Sequence, residues 1–249
     1  MVLGLAGVVW LLGGDPTAVL QVATEQAQQG GAPAGGARGA DEDALADFVS
    51  VVLADTEDVW SGQLGGRYQP PTLVLFTDRV QSACGIQGAA TGPFYCPGDH
   101  KAYIDLGFYR TLRDRLGAPG DFAQAYVLAH EVGHHIQNVT GLSGRVDALQ
   151  AQRPDQANAL SVRQELMADC YAGVWAHHSA LEMEPGDVEE GLRAAAAIGD
   201  DTLQARSGRV SPESFTHGTS EQRMQWLTKG MKTGDPAQCD TFADVAGLR

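Results

Sequence analysis

Three of the seven histidines of the chain lie in the stretch YVLAHEVGHHIQN, residues 126–138. His130 and His134 are four residues apart, so on a helix they share one face with Cβ atoms about 5–6 Å apart. Two imidazoles at that spacing can bind one zinc ion. Glu131 projects about 100° around the helix from His130, which places its carboxylate beside the ion. There it can take a proton from a water whose pKa zinc lowers to about 7, so the stretch predicts a zinc hydrolase with Glu131 as general base.

A catalytic zinc site needs a third protein ligand and an open position. Glu165 and Asp169 are four residues apart in SVRQELMADCYAG and share a helix face. We predict that Glu165 binds zinc and that Asp169 accepts the free N–H of a ligand histidine. Taken alone, this pair would be read as a solvated acidic edge. His135 and Cys170 each point about 140° away from the ligand face of their helix, so neither is expected to bind the metal.

Composition limits the partners. The chain has 249 residues, enough for one catalytic domain with a short appendage, and its formal net charge is −14. Such a charge disfavours nucleic acid and anionic membrane surfaces as direct partners. A peptide or protein substrate remains the expected partner.

The N-terminus differs from the rest of the chain. Residues 1–29 contain a 13-residue apolar run, residues 2–14, and residues 30–40 are a Gly/Ala-rich linker. The run is shorter than the roughly 20 residues that span a bilayer. It either packs on the domain or is the remaining end of a membrane anchor. Residues 41–249 are expected to form the catalytic domain.

The elements of that domain indicate an α+β fold with a small, mainly antiparallel sheet and a zincin-like helical active-site core. Apolar periodicity predicts a first helix over about residues 41–62. PTLVLFTD and KAYIDL are strand-like, and TGPFYCPGDH between them has the composition of a hairpin turn. Four later helices are predicted, over about residues 121–139, 155–179, 186–206 and 220–232.

Several motifs together carry a family resemblance. HEVGHHIQN, SVRQELMADCYAGVWAH, YCPGDHKAYIDL and HGTSEQR resemble the bacterial neutral zinc metallopeptidase family, which has the gluzincin-like order of HExxH followed by ExxxD. The resemblance extends from about residue 41 to the C-terminus. It implies a zinc peptidase tethered by one N-terminal membrane helix. By analogy with zinc peptidases of this build, residues 100–106 (HKAYIDL) are the candidate edge strand that pairs with an extended substrate, or else an ordinary core strand.

Four cysteines allow three pairings. Cys84 and Cys96 flank the predicted hairpin, and Cys170 and Cys239 would then tie the Glu165 helix to the C-terminal segment. Reduced thiols are the alternative for a cytosolic enzyme. The even count, the tether-like N-terminus and the resemblance favour two disulfides and an extracytoplasmic protein anchored to the cell membrane.

SFTHGTSEQR supplies a candidate for stabilising the oxyanion. His217 lies in a loop that leads into a helix and is a candidate catalytic donor, with Arg223 as the competing donor. The simpler alternative is that His217 only caps or packs this turn. The sequence thus predicts a zinc-dependent metallopeptidase. A zinc amidase acting on cell-wall peptides and an inactive metal-bound envelope interaction module are the alternatives.

Overall fold

The computed structural model describes residues 40–88 and 91–248. The predictions for the N-terminal apolar segment and the linker, up to residue 39, lie outside these ranges. The described helices and strands, in chain order, are α1 (Ala40–Leu64), β1 (Thr72–Phe76), β2 (Arg79–Ser82), β3 (Gly85–Gly88), β4 (Phe94–Cys96), β5 (Lys101–Asp105), α2 (Leu106–Asp114), α3 (Asp121–Val139), α4 (Leu142–Gln152), α5 (Ala157–His178), α6 (Asp187–Ala197), α7 (Asp200–Arg206) and α8 (Ser220–Thr233). The predicted α+β class is confirmed.

The main sheet has three strands in the order β1-β5-β4. β1 and β5 run parallel, whereas β4 pairs antiparallel with β5 through the turn that ends at His100. A separate hairpin joins β2 to β3 in antiparallel pairing. TGPFYCPGDH therefore contains a strand and a tight turn, and does not connect β1 to β5 as one hairpin. The long excursion after β1 returns the chain to the same end of the sheet, which makes the β1–β5 pair parallel.

Of the two alternatives for residues 100–106, the structure supports the core strand and not the substrate-pairing edge strand. β5, which contains most of HKAYIDL, is the central strand and hydrogen-bonds to a neighbour on both sides. Its backbone is therefore not open to an added strand. β4 lies at the edge of this sheet.

α3 forms the centre of the helical layer. Nearly every side chain from Phe122 to Ile136 is buried, and α3 packs on α5, α6, α1 and the strand β5. The helix ends at Thr140, because Gly141 takes the left-handed conformation with φ 75°. A fully enclosed helix of this kind holds its side chains in fixed rotamers, which a metal site requires.

Three helical features differ from the sequence prediction. α2 and α4 were not predicted, although Leu142, Val146 and Leu149 recur at helical spacing and are buried. The helix expected over residues 186–206 is two helices, α6 and α7, separated at Gly199. A Cβ on Gly199 would lie 2.5 Å from the backbone nitrogen of Ser220, so the start of α8 occupies the space beside this break.

Glycines allow the helices around α5 to approach closely. A Cβ on Gly133 of α3 would lie 2.9 Å from Cα of Ala168 in α5. A Cβ on Gly230 of α8 would lie 2.0 Å from the carbonyl oxygen of Cys170 in α5. Since no side chain fits at either point, the backbones of α3 and α8 both pack directly on α5.

Both predicted disulfides are present. Cys84–Cys96 ties the β2–β3 turn to β4, and Cys170–Cys239 ties α5 to the segment after α8. Disulfides persist in oxidising compartments, which indicates an extracytoplasmic location. Within the described ranges, no helix is long and apolar enough to cross a membrane.

The two disulfides should differ in their effect on stability. Cys170 and Cys239 are 69 residues apart, whereas Cys84 and Cys96 are 12 apart. Chain-entropy arguments assign about 4 kcal/mol to the longer loop and about 3 kcal/mol to the shorter one. We expect the Cys170→Ser/Cys239→Ser variant to lose more free energy of unfolding than Cys84→Ser/Cys96→Ser in urea titrations. A larger loss from the short-loop pair would contradict this account.

Candidate metal centre

Two packed helices bring the three predicted ligands together. α3 presents His130 and His134 on one face, and α5 presents Glu165 opposite them. His130 Nε2 lies 3.1 Å from Glu165 Oε2, and His134 Nε2 lies 3.4 Å from Glu165 Oε1. One ligand atom from each of the three residues lies within 4.8 Å of the other two. The predicted ligand set is thus a real cluster in space.

The chemistry and spacing of this cluster fit a zinc ion. Two imidazole nitrogens and one carboxylate are the ligands of a common catalytic zinc type. Tetrahedral coordination at bond lengths of about 2.0–2.1 Å separates ligand atoms by about 3.3 Å. His130 Nε2 lies 3.1 Å from one Glu165 oxygen and His134 Nε2 lies 3.4 Å from the other, both close to this value. The site can therefore hold zinc and leave a fourth position for water or substrate.

Each of the two histidines predicted to bind the metal has a partner for its second ring nitrogen. His130 Nδ1 lies 2.8 Å from Asp169 Oδ1, as the sequence predicts for a residue that fixes a tautomer. His134 Nδ1 lies 3.1 Å from Gln137 Oε1. The Gln137 amide donates its N–H to the Gln164 carbonyl at 2.7 Å, which turns its oxygen towards His134. Both imidazoles therefore carry hydrogen on Nδ1 and direct Nε2 at Glu165.

Gln137 was missed by sequence reasoning, although a local signal exists. It lies three residues after His134 on α3 and so shares its helix face. Its side chain is completely buried. An amide that is both buried and aimed at a ligand histidine is a supporting group of the centre.

Asp169 is the most densely bonded carboxylate of the centre. Besides His130, it accepts hydrogen bonds from the Tyr126 hydroxyl at 2.6 Å and from two guanidinium nitrogens of Arg223, each at 2.9 Å. Asp169 and Arg223 are both buried, with side chains 0% and 2% exposed. The donors of Arg223 point to Asp169, Tyr126 and the Ile198 carbonyl, so its role as the competing oxyanion donor stays a prediction.

The local charges shift the pKa values of the centre in opposite directions. Burial lowers the pKa of His130, but the Asp169 and Glu165 carboxylates outweigh burial and raise it to about 9. Burial raises the pKa of Glu165, but the two imidazoles, His134 foremost, hold it well below its usual range. The metal-free centre therefore binds a proton on imidazole that a metal ion must displace.

Glu131 differs from the other buried carboxylates. Its side chain is enclosed, with 7% of the residue exposed, and it lines the same cleft as the three ligands. Six carboxylate residues are buried in the described part of the chain: Asp55, Asp105, Glu131, Asp169, Asp187 and Asp200. Five of them accept hydrogen bonds. Glu131 alone among the six has no hydrogen bond or ion pair, so its oxygens are available to a molecule in the cleft.

His217 lies on the same cleft as Glu131 and the three ligands. Asp200 holds the loop, because its Oδ2 accepts backbone N–H bonds from Thr216, His217 and Gly218 at 2.6–3.0 Å. Asp200 Oδ1 lies 3.3 Å from His217 Nδ1, and this hydrogen bond raises the pKa of His217. Asp200 was not identified from the sequence, since its separation from His217 along the chain gives no periodic signal.

The remaining candidates are structural. His135 is fully buried and bonds the Tyr95 hydroxyl at 3.0 Å and the Gln69 carbonyl, so it packs α3 against the sheet side. Cys170 is in the disulfide with Cys239. Neither side chain belongs to the metal cluster, in agreement with the helical-wheel argument.

The cleft gives the centre access to a large ligand. Its volume is about 1010 Å³, and its walls come from α2, α3, α5, the α6–α7 junction and the edge strand β4. Phe94 and Tyr95 of β4 face it, as do the three ligands and Glu131. A cleft of this size accommodates several residues of a peptide.

An HExxH helix crossed by a second helix that carries the third, carboxylate ligand defines the gluzincin-like class of metal site. The chain belongs to the family described as "Putative neutral zinc metallopeptidase", whose model matches residues 1–242. The resemblance inferred from the motifs is thereby confirmed.

Two relatives show how far this similarity extends. The chain is 54% identical over 209 residues to the uncharacterized protein YpfJ of Escherichia coli K12, covering 81% of this chain and 72% of the relative. It is 43% identical over 221 residues to the uncharacterized protein Mb2605 of Mycobacterium bovis, covering 82% and 73%. No solved structure gives a significant match.

Metal binding by the three-residue cluster can be measured directly. We expect one zinc per chain in the wild type and a loss of most zinc in Glu165→Ala, because two imidazoles alone hold zinc weakly. Since His130 keeps a proton up to a pKa of about 9 in the metal-free site, apparent zinc affinity should rise with pH towards that value. Elemental analysis and chelator competition at several pH values test both statements.

His178→Ala is the control for this experiment. His178 is exposed and lies 13 residues beyond Glu165 on α5, about 20 Å along the helix axis. Its loss should leave zinc content unchanged. Full zinc occupancy in Glu165→Ala would remove Glu165 from the ligand set.

Proposed function

We propose that this protein is a zinc-dependent metallopeptidase that hydrolyses peptide bonds in the cleft described above. The observation that carries the proposal is the unpaired, buried Glu131 carboxylate beside the His130, His134 and Glu165 cluster. A centre that only bound a metal for stability would have no use for a buried base without a partner. The family membership agrees with this proposal at the level of the reaction class.

Glu131 supplies the proton chemistry. Bound zinc would polarise the scissile carbonyl and lower the pKa of water. Glu131 takes the proton from the attacking water and then passes it to the leaving amine, which splits the peptide bond into a carboxylate and an amine. Because Glu131 makes no hydrogen bond within the described protein, no existing contact has to break before it accepts the proton.

His217 is the second part of the proposed mechanism. Water attack places negative charge on the carbonyl oxygen, and a positioned donor lowers the energy of that state. Asp200 holds the backbone of the His217 loop and accepts from Nδ1, so in the imidazolium form Nε2 carries a second N–H that has no partner among the described residues. The raised pKa of His217 favours the imidazolium, which is the only form in which Nδ1 and Nε2 both carry a hydrogen to donate.

The substrate is proposed to be a peptide or protein segment in extended conformation. β4, and not β5, is the strand proposed to pair with the substrate, because it is an edge strand and its Phe94 and Tyr95 line the cleft. Extended peptides bind such edges through main-chain hydrogen bonds. The acidic net charge of −14 makes nucleic acid an unsuitable partner. A membrane tether through the N-terminus remains part of the proposal and depends on residues outside the described ranges.

The first test of function uses Glu131→Gln. Glutamine has a similar size but cannot accept the proton of water, so the variant should retain zinc and lose turnover of casein. Glu182→Gln makes the same chemical change at an exposed site outside the cleft and should retain both. Near-normal casein hydrolysis by Glu131→Gln would rule out Glu131 as the general base.

Purified peptidoglycan is the second substrate in this test. Cleavage of casein but not of peptidoglycan supports the peptidase. Cleavage of peptidoglycan alone would replace it with a cell-wall amidase, and the absence of both activities in zinc-loaded wild type would indicate an interaction module.

The second test concerns His217. Removal of one oxyanion donor lowers kcat by roughly 10²–10³, so His217→Ala should show a loss of that size with unchanged zinc content. Because the imidazolium is the donor and its pKa is raised, wild-type activity should fall as pH rises through that pKa. The alkaline limb of the pH profile should be absent from the variant.

Melting temperature separates catalysis from packing in this variant. The three backbone hydrogen bonds to Asp200 do not need the imidazole, so the loop should survive in His217→Ala. A variant whose activity falls only in step with its melting temperature would return His217 to a structural role.

A further inference from the structure

Arg223 is a buried cation at the back of the metal centre. It enters from the first turn of α8, and its side chain is only 2% exposed. Nε donates to Asp169 Oδ2 and Nη2 donates to Asp169 Oδ1, both at 2.9 Å. Nη2 also lies 3.2 Å from the Tyr126 hydroxyl and 3.3 Å from His130 Nδ1. The guanidinium therefore contacts both Asp169 and the imidazole that Asp169 orients.

The two-pronged contact fixes the rotation of the Asp169 carboxylate. A carboxylate held at one oxygen can still turn about its last side-chain bond, whereas a fork on both oxygens prevents this. Asp169 Oδ1 is thereby held 2.8 Å from His130 Nδ1, and His130 Nε2 is held towards Glu165. The orientation of a proposed metal ligand thus depends on a residue 93 positions further along the chain.

The packing of α8 on α5 occurs on the faces that carry this pair. Gly230 lies two turns after Arg223, and Gly173 lies one turn after Asp169, so each glycine shares a helix face with its partner of the pair. A Cβ on Gly173 would lie 2.2 Å from the Leu227 carbonyl oxygen. This direct backbone packing holds Arg223 within reach of Asp169.

A purely stabilising role accounts poorly for this arrangement. Burial of an ion pair costs free energy that its attraction only about repays, and apolar residues of similar volume often serve stability equally well. Asp169 Oδ1 accepts from both Arg223 Nη2 and His130 Nδ1, and this shared oxygen connects the ion pair to the metal cluster.

We propose that Arg223 is a positioning residue of the metal centre, which sets His130 for metal binding by fixing Asp169. The inference rests on the proposed function only in that the His130, His134 and Glu165 cluster binds zinc. It predicts an effect on zinc affinity itself and needs no measurement of hydrolysis.

The experiment is a double-mutant cycle on zinc dissociation constants. Arg223→Met, Asp169→Asn and the double variant are loaded with zinc and titrated with a competing chelator, well below the lowest melting temperature of the set. Loss of a group that orients a ligand costs roughly 10–100-fold in metal affinity, so each single variant should show a loss in that range. Because Arg223 acts through Asp169, the double variant should bind zinc no more weakly than Asp169→Asn.

Asp55→Asn is the matched control, because it disrupts a buried hydrogen-bond network that lies away from the metal centre. Asp55 accepts hydrogen bonds from the Trp175 indole at 2.7 Å, the Ser179 hydroxyl at 2.6 Å and the Ala180 backbone at 3.0 Å, and it does not line the cleft. This variant should lose melting temperature and keep the wild-type zinc dissociation constant.

Three outcomes would overturn the proposal. The first is a wild-type zinc dissociation constant in Arg223→Met. The second is a double variant in which the losses of the two single variants multiply. The third is zinc binding that Asp55→Asn weakens as much as Arg223→Met does. If Arg223→Met does not fold because Asp169 is left unpaired, the comparison of Asp169→Asn with the double variant still tests whether Arg223 acts through Asp169. Failure of the wild type to bind zinc would instead refute the proposed function.

Discussion

The buried carboxylate of Asp169 accepts hydrogen bonds from an imidazole, a phenol and two guanidinium nitrogens, and the other parts of the centre are placed around it. Burial raises the pKa of Asp169, but the Arg223 guanidinium and His130 hold it below its usual value. A carboxylate that stays ionised without contact with water must keep all of its donors. This requirement fixes the relative positions of α3, α5 and α8, because α3 supplies Tyr126 and His130, α5 supplies Asp169 and α8 supplies Arg223.

The close packing of the helices satisfies that requirement. Gly133 brings α3 against α5, and Gly173 and Gly230 bring α5 against α8. The Cys170–Cys239 disulfide starts at the residue after Asp169 and joins α5 to the segment that follows α8. The C-terminal third of the chain is therefore part of the metal centre, although the three proposed ligands lie on α3 and α5.

Sequence reasoning succeeded where the signal was local. Helical geometry alone relates His130, Glu131 and His134, and it also predicts that Glu165 and Asp169 share a face, so the bounds of α3 and the composition of the cluster could be predicted. The contact of Arg223 with Asp169 could not, since it depends on how two helices cross.

Strand pairing could not be predicted from the sequence for a similar reason. Alternation of side chains identifies a strand but does not say which neighbour it takes, so the sequence left open whether β5 lies at an edge or in the core, and it lies at the centre of its sheet. The break at Gly199 likewise depends on Ser220, a residue of another helix.

Glu131 is the exception among the buried carboxylates of the described chain, because it has no hydrogen bond within the protein. The other five buried carboxylates of the described chain are compensated by hydrogen bonds, as burial of a charge demands. Tyr109 lies buried with a hydroxyl that has no hydrogen bond among the described residues, and burial, together with the Glu131 charge, raises its pKa. A hydrogen bond from such a hydroxyl would stabilise Glu131 and also weaken it as a base. The centre thus orients its proposed ligands with filled hydrogen bonds and leaves its proposed base without one, and that contrast separates the residues proposed to hold the metal from the residue proposed to react.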